Sequence, residues 1–262
     1  MQGAATWFHK LRKTLRIAWP MLAMLLLWEA IARSGWVSAY LLPKPLTVAA
    51  TAWQLFQEGV LLTHTKASLT RIAIGFFISC STGILLAGAT VRFRWLADST
   101  TAVLGLLRMI PPLALTPLLI LWLGIGNATQ ISIIVLASFF PVFLNAASGF
   151  RHITPELDEL ARSLALPRMR YVSHIALPAA VPALVTGLRL GFGYSWRALI
   201  GAELIAASSG LGYLILDAQE LQRTDVVIVG ILVIGLLGWG MDWLFQRTAT
   251  LFLGRRFPEV AA

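Results

Sequence analysis

Residues 151–178 read RHITPELDELARSLALPRMRYVSHIALP, a polar and charged segment in the middle of an otherwise apolar chain. Thr154 followed by Pro155 is typical of a helix start, because Pro fits the first helical position behind a capping Thr. Pro167 cannot continue that helix, so the segment is predicted to turn near Leu166 and to restart over 169–175. We therefore predict two short helices at an angle, suited to docking into a cleft on another protein. A solvated loop is the alternative.

The composition on either side of this segment is that of an integral membrane protein. Hydrophobic residues make up 58% of the 262 residues and charged residues 13%, and the mean hydropathy is +0.77, well beyond that of a soluble domain. Six stretches are long enough to cross a hydrocarbon core of about 30 Å. They cover residues 17–32, 69–91, 101–123, 129–149, 181–205 and 226–245. The predicted fold is all-α with six transmembrane helices, since lipid offers no partner to open strand edges.

The basic residues next to these stretches predict the orientation. With both termini in the cytoplasm, thirteen Lys and Arg residues lie inside and five outside, as the positive-inside rule requires. Three more, Arg108, Arg189 and Arg197, lie within or at the ends of spans. The same distribution accounts for the net charge of +9 and argues against nucleic-acid binding, because no basic run alternates with aromatic residues. We predict one transmembrane domain over 1–262, with an amphipathic cytoplasmic start at 1–16.

The sequence contains no motif for catalysis or for metal binding. Cys80 is the single cysteine and the four His residues are scattered, so no cluster has metal-ligand spacing. No Gly-rich phosphate loop ending in Gly-Lys-Ser or Gly-Lys-Thr occurs. We therefore predict no catalytic residue, no metal and no cofactor, and any ATP hydrolysis must come from a partner.

Two predicted spans carry residues that are unusual in a membrane helix. Pro111, Pro112 and Pro117 interrupt the third span and should bend it, because they remove backbone donors. Arg197 lies near the middle of the fifth span, where a cation is costly unless it is paired or faces water. Glu203 is too far along the helix for a comfortable pair with it. Three partners for Arg197 stay open: a carboxylate on another helix or subunit, backbone carbonyls freed at the Pro kinks, or an anion in transit.

The polar segment resembles the cytoplasmic EAA loop of permease subunits from bacterial ATP-binding-cassette importers. The resemblance is carried by Glu159, Ala161, Ala165, Ile175, Leu177 and Pro178. Two positions depart from the family pattern, which has a second Ala after the Glu and a Gly six residues after it, where this chain has Leu160 and Ala165. Ala is the mildest replacement for Gly at a helix end, but it penalises a left-handed backbone conformation.

The resemblance covers nearly the whole chain and narrows to one branch of these permeases. Residues 108–118 and 122–126 are similar to the third helix of the sulfonate, taurine and nitrate branch. Residues 209–225 look like its outer loop, including Thr224-Asp225-Val226 at the start of the last helix.

The resemblance implies a type I importer permease in the bacterial inner membrane, working as a homodimer with a pathway between the copies. It also implies two cytoplasmic ATPase subunits and a periplasmic or lipid-anchored solute-binding protein. The ATPase-coupling residues that it implies are Glu159, Ala161, Arg162, Ala165, Leu166, Arg168, Tyr171, Ile175, Leu177 and Pro178. The candidate pathway residues are Arg108, Pro111, Pro112, Pro117, Trp196, Arg197 and Glu203.

The predicted function is that of the transmembrane subunit of an ATP-driven importer for a small organic anion, an aliphatic sulfonate or taurine. Nitrate, bicarbonate, an aromatic acid and a thiamine precursor are alternatives within the same role. The alternative from another class is an ion-coupled secondary transporter, which would need intramembrane carboxylates as ion sites and often shows inverted repeats. The sequence shows neither feature. Arg197 favours an anion, and the overall resemblance favours a sulfonate.

Overall fold

The computed structural model describes residues 19–151, 159, 161 and 163–253, and its regular secondary structure there is helical throughout. The prediction of an all-α fold is confirmed. The helices are α1 (19–34), α2 (Pro45–Gln57), α3 (Val60–Arg92), α4 (Arg94–Leu107), α5 (Thr116–Leu123), α6 (Asn127–Arg151), α7 (Leu177–Ala206), α8 (Leu211–Glu220) and α9 (Thr224–Leu253). A 3-10 turn, Pro112–Leu115, precedes α5. A helical turn, Arg168–Tyr171, and a π-helix, Val172–Ala176, lead into α7.

Four helical stretches are long and apolar enough to cross a membrane, namely Val60–Arg92, Asn127–Arg151, Met169–Ala206 and Thr224–Leu251. They coincide with four of the predicted spans. The pair formed by α4 and α5 passes the same test together but is bent by 83°, which makes it a broken span or a re-entrant loop. The predicted span at 17–32 begins outside the described residues, and its described part is α1. The chain is thus a multi-pass membrane protein, and the count of six spans stays a prediction.

The break between α4 and α5 falls at the three prolines, as predicted. Arg108 is the C-cap of α4, and its backbone N–H donates to the carbonyl of Leu104. Pro112 opens the 3-10 turn and Pro117 lies in the first turn of α5. Because a proline nitrogen carries no hydrogen, it loses nothing at a helix start, whereas it would interrupt a helix interior. Two short elements therefore replace one straight span.

The described residues divide into two compact units, the first within Met1–Leu62 and Leu214–Leu232 and the second within Thr63–Tyr213 and Val233–Ala262. In the first unit, the hydroxyl of Thr51 donates to Asp225 over 2.8 Å and thereby joins α2 to the start of α9. The first unit also contains an ion pair between Glu29 and Arg33, one helical turn apart on α1.

The core of the second unit depends on close contact between α6 and α7. A Cβ added at Gly191 would lie 2.7 Å from Cγ2 of Val142, and one added at Gly187 would lie 2.7 Å from Cβ of Asn145. Such distances leave no room for a side chain. Helices in lipid gain stability mainly from close packing, which small residues permit. The glycines of α7 therefore set its distance from α6.

The prediction of a loop at 209–225 overlooked α8, which occupies Leu211–Glu220. Leu211, Leu214 and Ala218 are 0%, 5% and 3% exposed, and their spacing of three and four residues is that of one helix face. The charged residues that follow, from Asp217 to Asp225, hid this short apolar stripe in the sequence.

We predict that Gly191→Ala destabilises the protein and that Gly193→Ala, two residues further along α7, does not. No atom lies within 4 Å of a Cβ added at Gly193. Forcing an extra carbon into a packed core costs typically about 1–3 kcal/mol, whereas Ala in an open helical position is favoured over Gly by about 1 kcal/mol. Thermal unfolding of the two purified variants in the same detergent measures the difference. Equal unfolding temperatures would show that α6 and α7 can move apart without loss.

Candidate functional site

The break between α4 and α5 forms one wall of a cavity of about 550 Å³ in the second unit, here called the break cavity. Arg108, Pro111 and Pro112 line it at the break, and Tyr194 and Arg197 line it on α7. Four of the predicted pathway residues therefore meet in one cavity, although the sequence places Arg197 more than 80 positions away from the prolines.

A second cavity, the α7–α9 cleft, has a volume of about 920 Å³. Trp196 and Arg197 line it, together with Arg189 of the same helix and Asp242 of α9. Arg189 donates to Asp242 through two nitrogens, over 2.9 and 3.1 Å, so the two charges neutralise each other in a bidentate pair. Arg189 thus has its partner inside the chain.

Arg197 lines both cavities, and its side chain is exposed. Among the residues that the structure describes, it forms no hydrogen bond and no ion pair. The sequence left three partners open for Arg197. Within the described residues, neither a carboxylate of the same chain nor a freed backbone carbonyl bonds to it. A partner from outside the chain remains, either a carboxylate of another subunit or an anion.

Glu203 has a different environment, because it lines neither of these cavities and is fully buried. Its carboxylate accepts a hydrogen bond from Nη1 of Arg71 over 2.7 Å and from the hydroxyl of Ser68 over 2.8 Å. Nε of Arg71 donates to Asn127 over 2.7 Å, and its other amino group donates to the hydroxyl of Ser209 over 2.8 Å. We call these five residues the Arg71 cluster.

The Arg71 cluster also holds the start of α8. The backbone N–H of Gly212 donates to Glu203 over 2.9 Å, and that of Leu211 donates to Ser68 over 2.9 Å. A carboxylate at the first turn of a helix satisfies donors that have no partner within the helix. Gly210 fits this site because its φ is +117° and a Cβ there would lie 2.3 Å from the carboxylate.

Trp196 and Pro117 complete the candidate pathway residues. Trp196 is 8% exposed and packs with Ile72, Ile134 and Leu199 in a buried cluster, while one edge reaches the α7–α9 cleft. Pro117 is exposed and lines neither cavity.

The first part of the predicted coupling loop is described only at single residues. Glu159 is exposed and Ala161 is buried, while Arg162 and the predicted helix start at Thr154-Pro155 lie outside the described residues. The N–H of Leu166 donates to the carbonyl of Ala161 over 3.1 Å, and Ala165 has a φ of +45°. This is the bond pattern of a helix that ends in a left-handed residue. The predicted turn near Leu166 is confirmed, with Ala165 in the conformation that favours glycine.

The prediction that the second loop helix ends at 175 was wrong. The helix restarts at Arg168, directly after Pro167, but continues through the π-helix Val172–Ala176 into α7. The N–H of Leu177 bonds to the carbonyl of Val172, five residues back. A wide turn of this kind changes the hydrogen-bond register inside a helix. Pro178 lies two residues after the π-helix, in the first turn of α7, and the helix continues past it.

Tyr171 and Ile175 are half-buried and Leu177 is exposed on this continuous helix, whereas the side chain of Arg168 is not described. Glu159 and Ala161 are helical before Ala165, and the predicted coupling residues from Arg168 to Pro178 are helical after it. The tight turn at Ala165 lies between the two segments.

The sequence interpretation missed the Arg71 cluster because it counted Arg71 only among the outer basic residues. Arg71 is the third residue of the predicted span 69–91, so the argument that singled out Arg197 near the middle of its span did not reach Arg71. No spacing rule would have paired Arg71 with Glu203, 132 positions away.

A family model described as "Binding-protein-dependent transport system inner membrane component" matches residues 79–249. The chain is 38% identical over 215 residues to the putative aliphatic sulfonates transport permease protein SsuC of Bacillus subtilis (strain 168), over 81% of this chain and 77% of that protein. It is 36% identical over 247 residues to the taurine transport system permease protein TauC of Escherichia coli (strain K12), over 90% and 88%. It is 31% identical over 233 residues to the nitrate import permease protein NrtB of Synechococcus elongatus, over 84% and 83%.

Among solved structures, the chain is similar in fold to an inward-facing conformation of the MetNI methionine ABC transporter. The TM-score is 0.54 at 19% sequence identity, over 76% of this chain and 97% of that chain.

We predict that Arg71→Ala destabilises the protein strongly, since it leaves the carboxylate of Glu203 buried and unpaired. Removing one partner of a buried pair costs roughly 3–5 kcal/mol, whereas replacing both with apolar residues of similar volume is often neutral. The double variant Arg71→Met, Glu203→Met should therefore be more stable than Arg71→Ala. Arg33→Ala is the control, because its ion pair is exposed and such pairs contribute about 1 kcal/mol or less. Thermal unfolding in detergent ranks the variants, and an Arg71→Ala protein as stable as Arg33→Ala would contradict the prediction.

Proposed function

Since this chain belongs to the family of binding-protein-dependent transport system inner membrane components, we propose that it forms the translocation pathway for a small organic anion, and that aliphatic sulfonates are its substrates. The chain is a permease subunit of an ATP-binding-cassette importer, in the branch of sulfonate, taurine and nitrate permeases, and it is not an enzyme. The family implies an ATPase and a solute-binding protein as partners.

The observation that carries the substrate proposal is the unpartnered guanidinium of Arg197 at the junction of two cavities. A cation in the middle of a membrane helix needs water or a counter-charge. Arg189, on the same helix, has a counter-charge in Asp242, whereas Arg197 faces open space. A guanidinium offers several donors in a plane, and the three oxygens of a sulfonate are matching acceptors. An anion in transit fits the vacant side of Arg197.

The relatives support a sulfonate over the alternatives. Two permeases named for aliphatic sulfonates are each 38% identical to this chain, and the taurine permease is 36% identical. The nitrate permease is 31% identical. The sulfonate proposal is therefore tested against four alternative substrates, namely nitrate, bicarbonate, an aromatic acid and a thiamine precursor.

In the proposed mechanism, the continuous helix from Met169 to Ala206 transmits movement from the cytoplasmic loop to the cavity wall. Two copies of the chain, with both termini in the cytoplasm, present the loops at 151–178 to two ATPase subunits. When the ATPases close, they push the helical turn at Arg168–Tyr171. Tyr171 and Arg197 lie on one helical path of about 39 Å, at about 1.5 Å per residue. Displacement at the loop therefore moves the wall that carries Arg197, with the π-helix and the prolines as the points of bending.

We predict that the coupling role depends on the left-handed turn at Ala165. Ala165→Gly should retain uptake, because Gly adopts a positive φ without strain. Ala165→Val should abolish uptake, because a β-branched residue is a steric outlier at such a φ. Uptake of a labelled sulfonate by cells and co-purification of the ATPase with the permease are measured for both variants.

The two variants differ only in the residue at position 165. The amount of each variant in the membrane is measured as the control for folding. The proposal expects that the Ala165→Val variant reaches the membrane at the normal level but neither binds the ATPase nor supports uptake. Normal uptake by Ala165→Val would remove the turn from the coupling mechanism.

We predict that a strain lacking this chain fails to grow on alkanesulfonates as the sole sulfur source but grows on sulfate. The native chain should restore growth, whereas Arg197→Ala should not, because the pathway then lacks its cation. Taurine as sole sulfur source and nitrate as sole nitrogen source are tested in parallel. Loss of growth on nitrate alone would replace the sulfonate proposal with nitrate import. Full rescue by Arg197→Ala would show that Arg197 does not contact the substrate.

A further inference from the structure

We infer that Arg108 and Arg197 form one anion site in the break cavity, and that the walls of this cavity select an alkanesulfonate with an apolar tail over the zwitterion taurine. This inference rests on the proposed function and narrows it, since it names which sulfonates the permease itself favours. It assigns a share of the selectivity to this chain in addition to that of the solute-binding protein.

The charge of the break cavity is unbalanced. Two of its lining residues, Arg108 and Arg197, are cations, and none of its described lining residues is acidic. Neither cation forms a side-chain hydrogen bond or an ion pair within the part of the chain that the structure describes. Arg108 is the C-cap of α4, but the dipole of a helix C-terminus supplies only about half a negative charge. A sulfonate between the two guanidiniums would neutralise one of the two positive charges and could accept hydrogen bonds from both side chains.

The remaining wall of the cavity is mainly apolar. Phe140 and Leu144 of α6 and Leu190 of α7 line it. The two neutral polar residues are Asn145 and Tyr194, and the amide of Asn145 already donates to the carbonyl of Pro141 over 2.8 Å. An alkyl tail on the bound sulfonate would move out of water and into contact with these side chains. This transfer favours binding by roughly fourfold for each buried methylene.

Taurine meets the opposite conditions in the same cavity. Its ammonium group would lose water and find no carboxylate among the lining residues that the structure describes. It would also lie near two cations, and like charges in a partly dry site repel each other. Nitrate would satisfy the arginines but would leave the apolar wall in contact with water. An alkanesulfonate matches both parts of the cavity.

The test measures binding to the complex of permease and ATPase in lipid nanodiscs, without the solute-binding protein, so that only the permease selects. Butane-1-sulfonate, methanesulfonate and taurine are titrated by calorimetry. Butane-1-sulfonate should bind at least tenfold more tightly than taurine, with methanesulfonate between them. Arg108→Gln and Arg197→Gln should each weaken butane-1-sulfonate binding at least tenfold. Arg33→Gln, which removes the same charge outside the break cavity, should not weaken it.

A charge introduced into the apolar wall gives a matched comparison. Leu144→Glu should raise the affinity for taurine relative to butane-1-sulfonate at least tenfold, whereas Leu144→Gln, of the same size and without charge, should lower both affinities to a similar extent. Equal affinities for taurine and butane-1-sulfonate in the unmodified complex would overturn the inference. So would binding that is unchanged in both arginine variants, or no binding of any of the three compounds.

The growth experiment distinguishes the failure of this inference from the failure of the proposed function. If sulfonate growth depends on the chain but the complex binds taurine and butane-1-sulfonate equally, the permease function stands and the selectivity belongs to the solute-binding protein alone. If the chain is not needed for sulfonate growth, the proposed function fails, whatever the complex binds.

Discussion

The buried ion pair between Arg71 and Glu203 is the constraint on which the second unit depends. Both side chains are almost completely removed from solvent, and their hydrogen bonds reach α3, α6, α7 and the start of α8. A charge in such a site is stable only when its donors and acceptors are satisfied. Because five side chains and two backbone N–H groups meet there, parts of four helices are joined at one point. Two of these helices, α6 and α7, also line the break cavity.

Four arginines of the second unit, Arg71, Arg108, Arg189 and Arg197, differ in whether they have a carboxylate partner. Arg71 and Arg189 each have a carboxylate from another helix within 3 Å, and they join elements of the scaffold. Arg108 and Arg197 line the break cavity without such a partner among the described residues. We propose that the same residue type has two roles here, a structural one where a counter-charge is present and a substrate-binding one where it is absent. The proposal for an anionic substrate follows from Arg108 and Arg197, because an unpartnered guanidinium in a membrane protein needs a ligand or water.

The loop at 151–178 shows both the strength and the limit of local reasoning. Pro167 and the Gly-like position at Ala165 were sufficient to predict the turn, since both restrict the backbone of their own neighbourhood. The second loop helix was expected to cover only 169–175, yet it continues through the π-helix Val172–Ala176 and past Pro178. The difference arises because a helix can accommodate the missing N–H of a proline by widening one turn into a π-helix. Packing along the rest of Met169–Ala206 offsets the cost of the wider turn. The result is an unbroken connection between the coupling loop and the cavity wall.

The sequence alone determined the all-α membrane architecture, the approximate positions of the long apolar helices, the bend at Pro111, Pro112 and Pro117, and the family. These properties follow from hydropathy, proline chemistry and motif order, which are local in the chain. The tertiary structure decided which charges pair. Glu203 belongs to Arg71, Asp242 belongs to Arg189, and Arg197 is left facing a cavity with Arg108. Those assignments depend on which side-chain nitrogen and oxygen atoms lie within about 3 Å of each other in the folded protein. The separation of two residues along the chain does not give that distance.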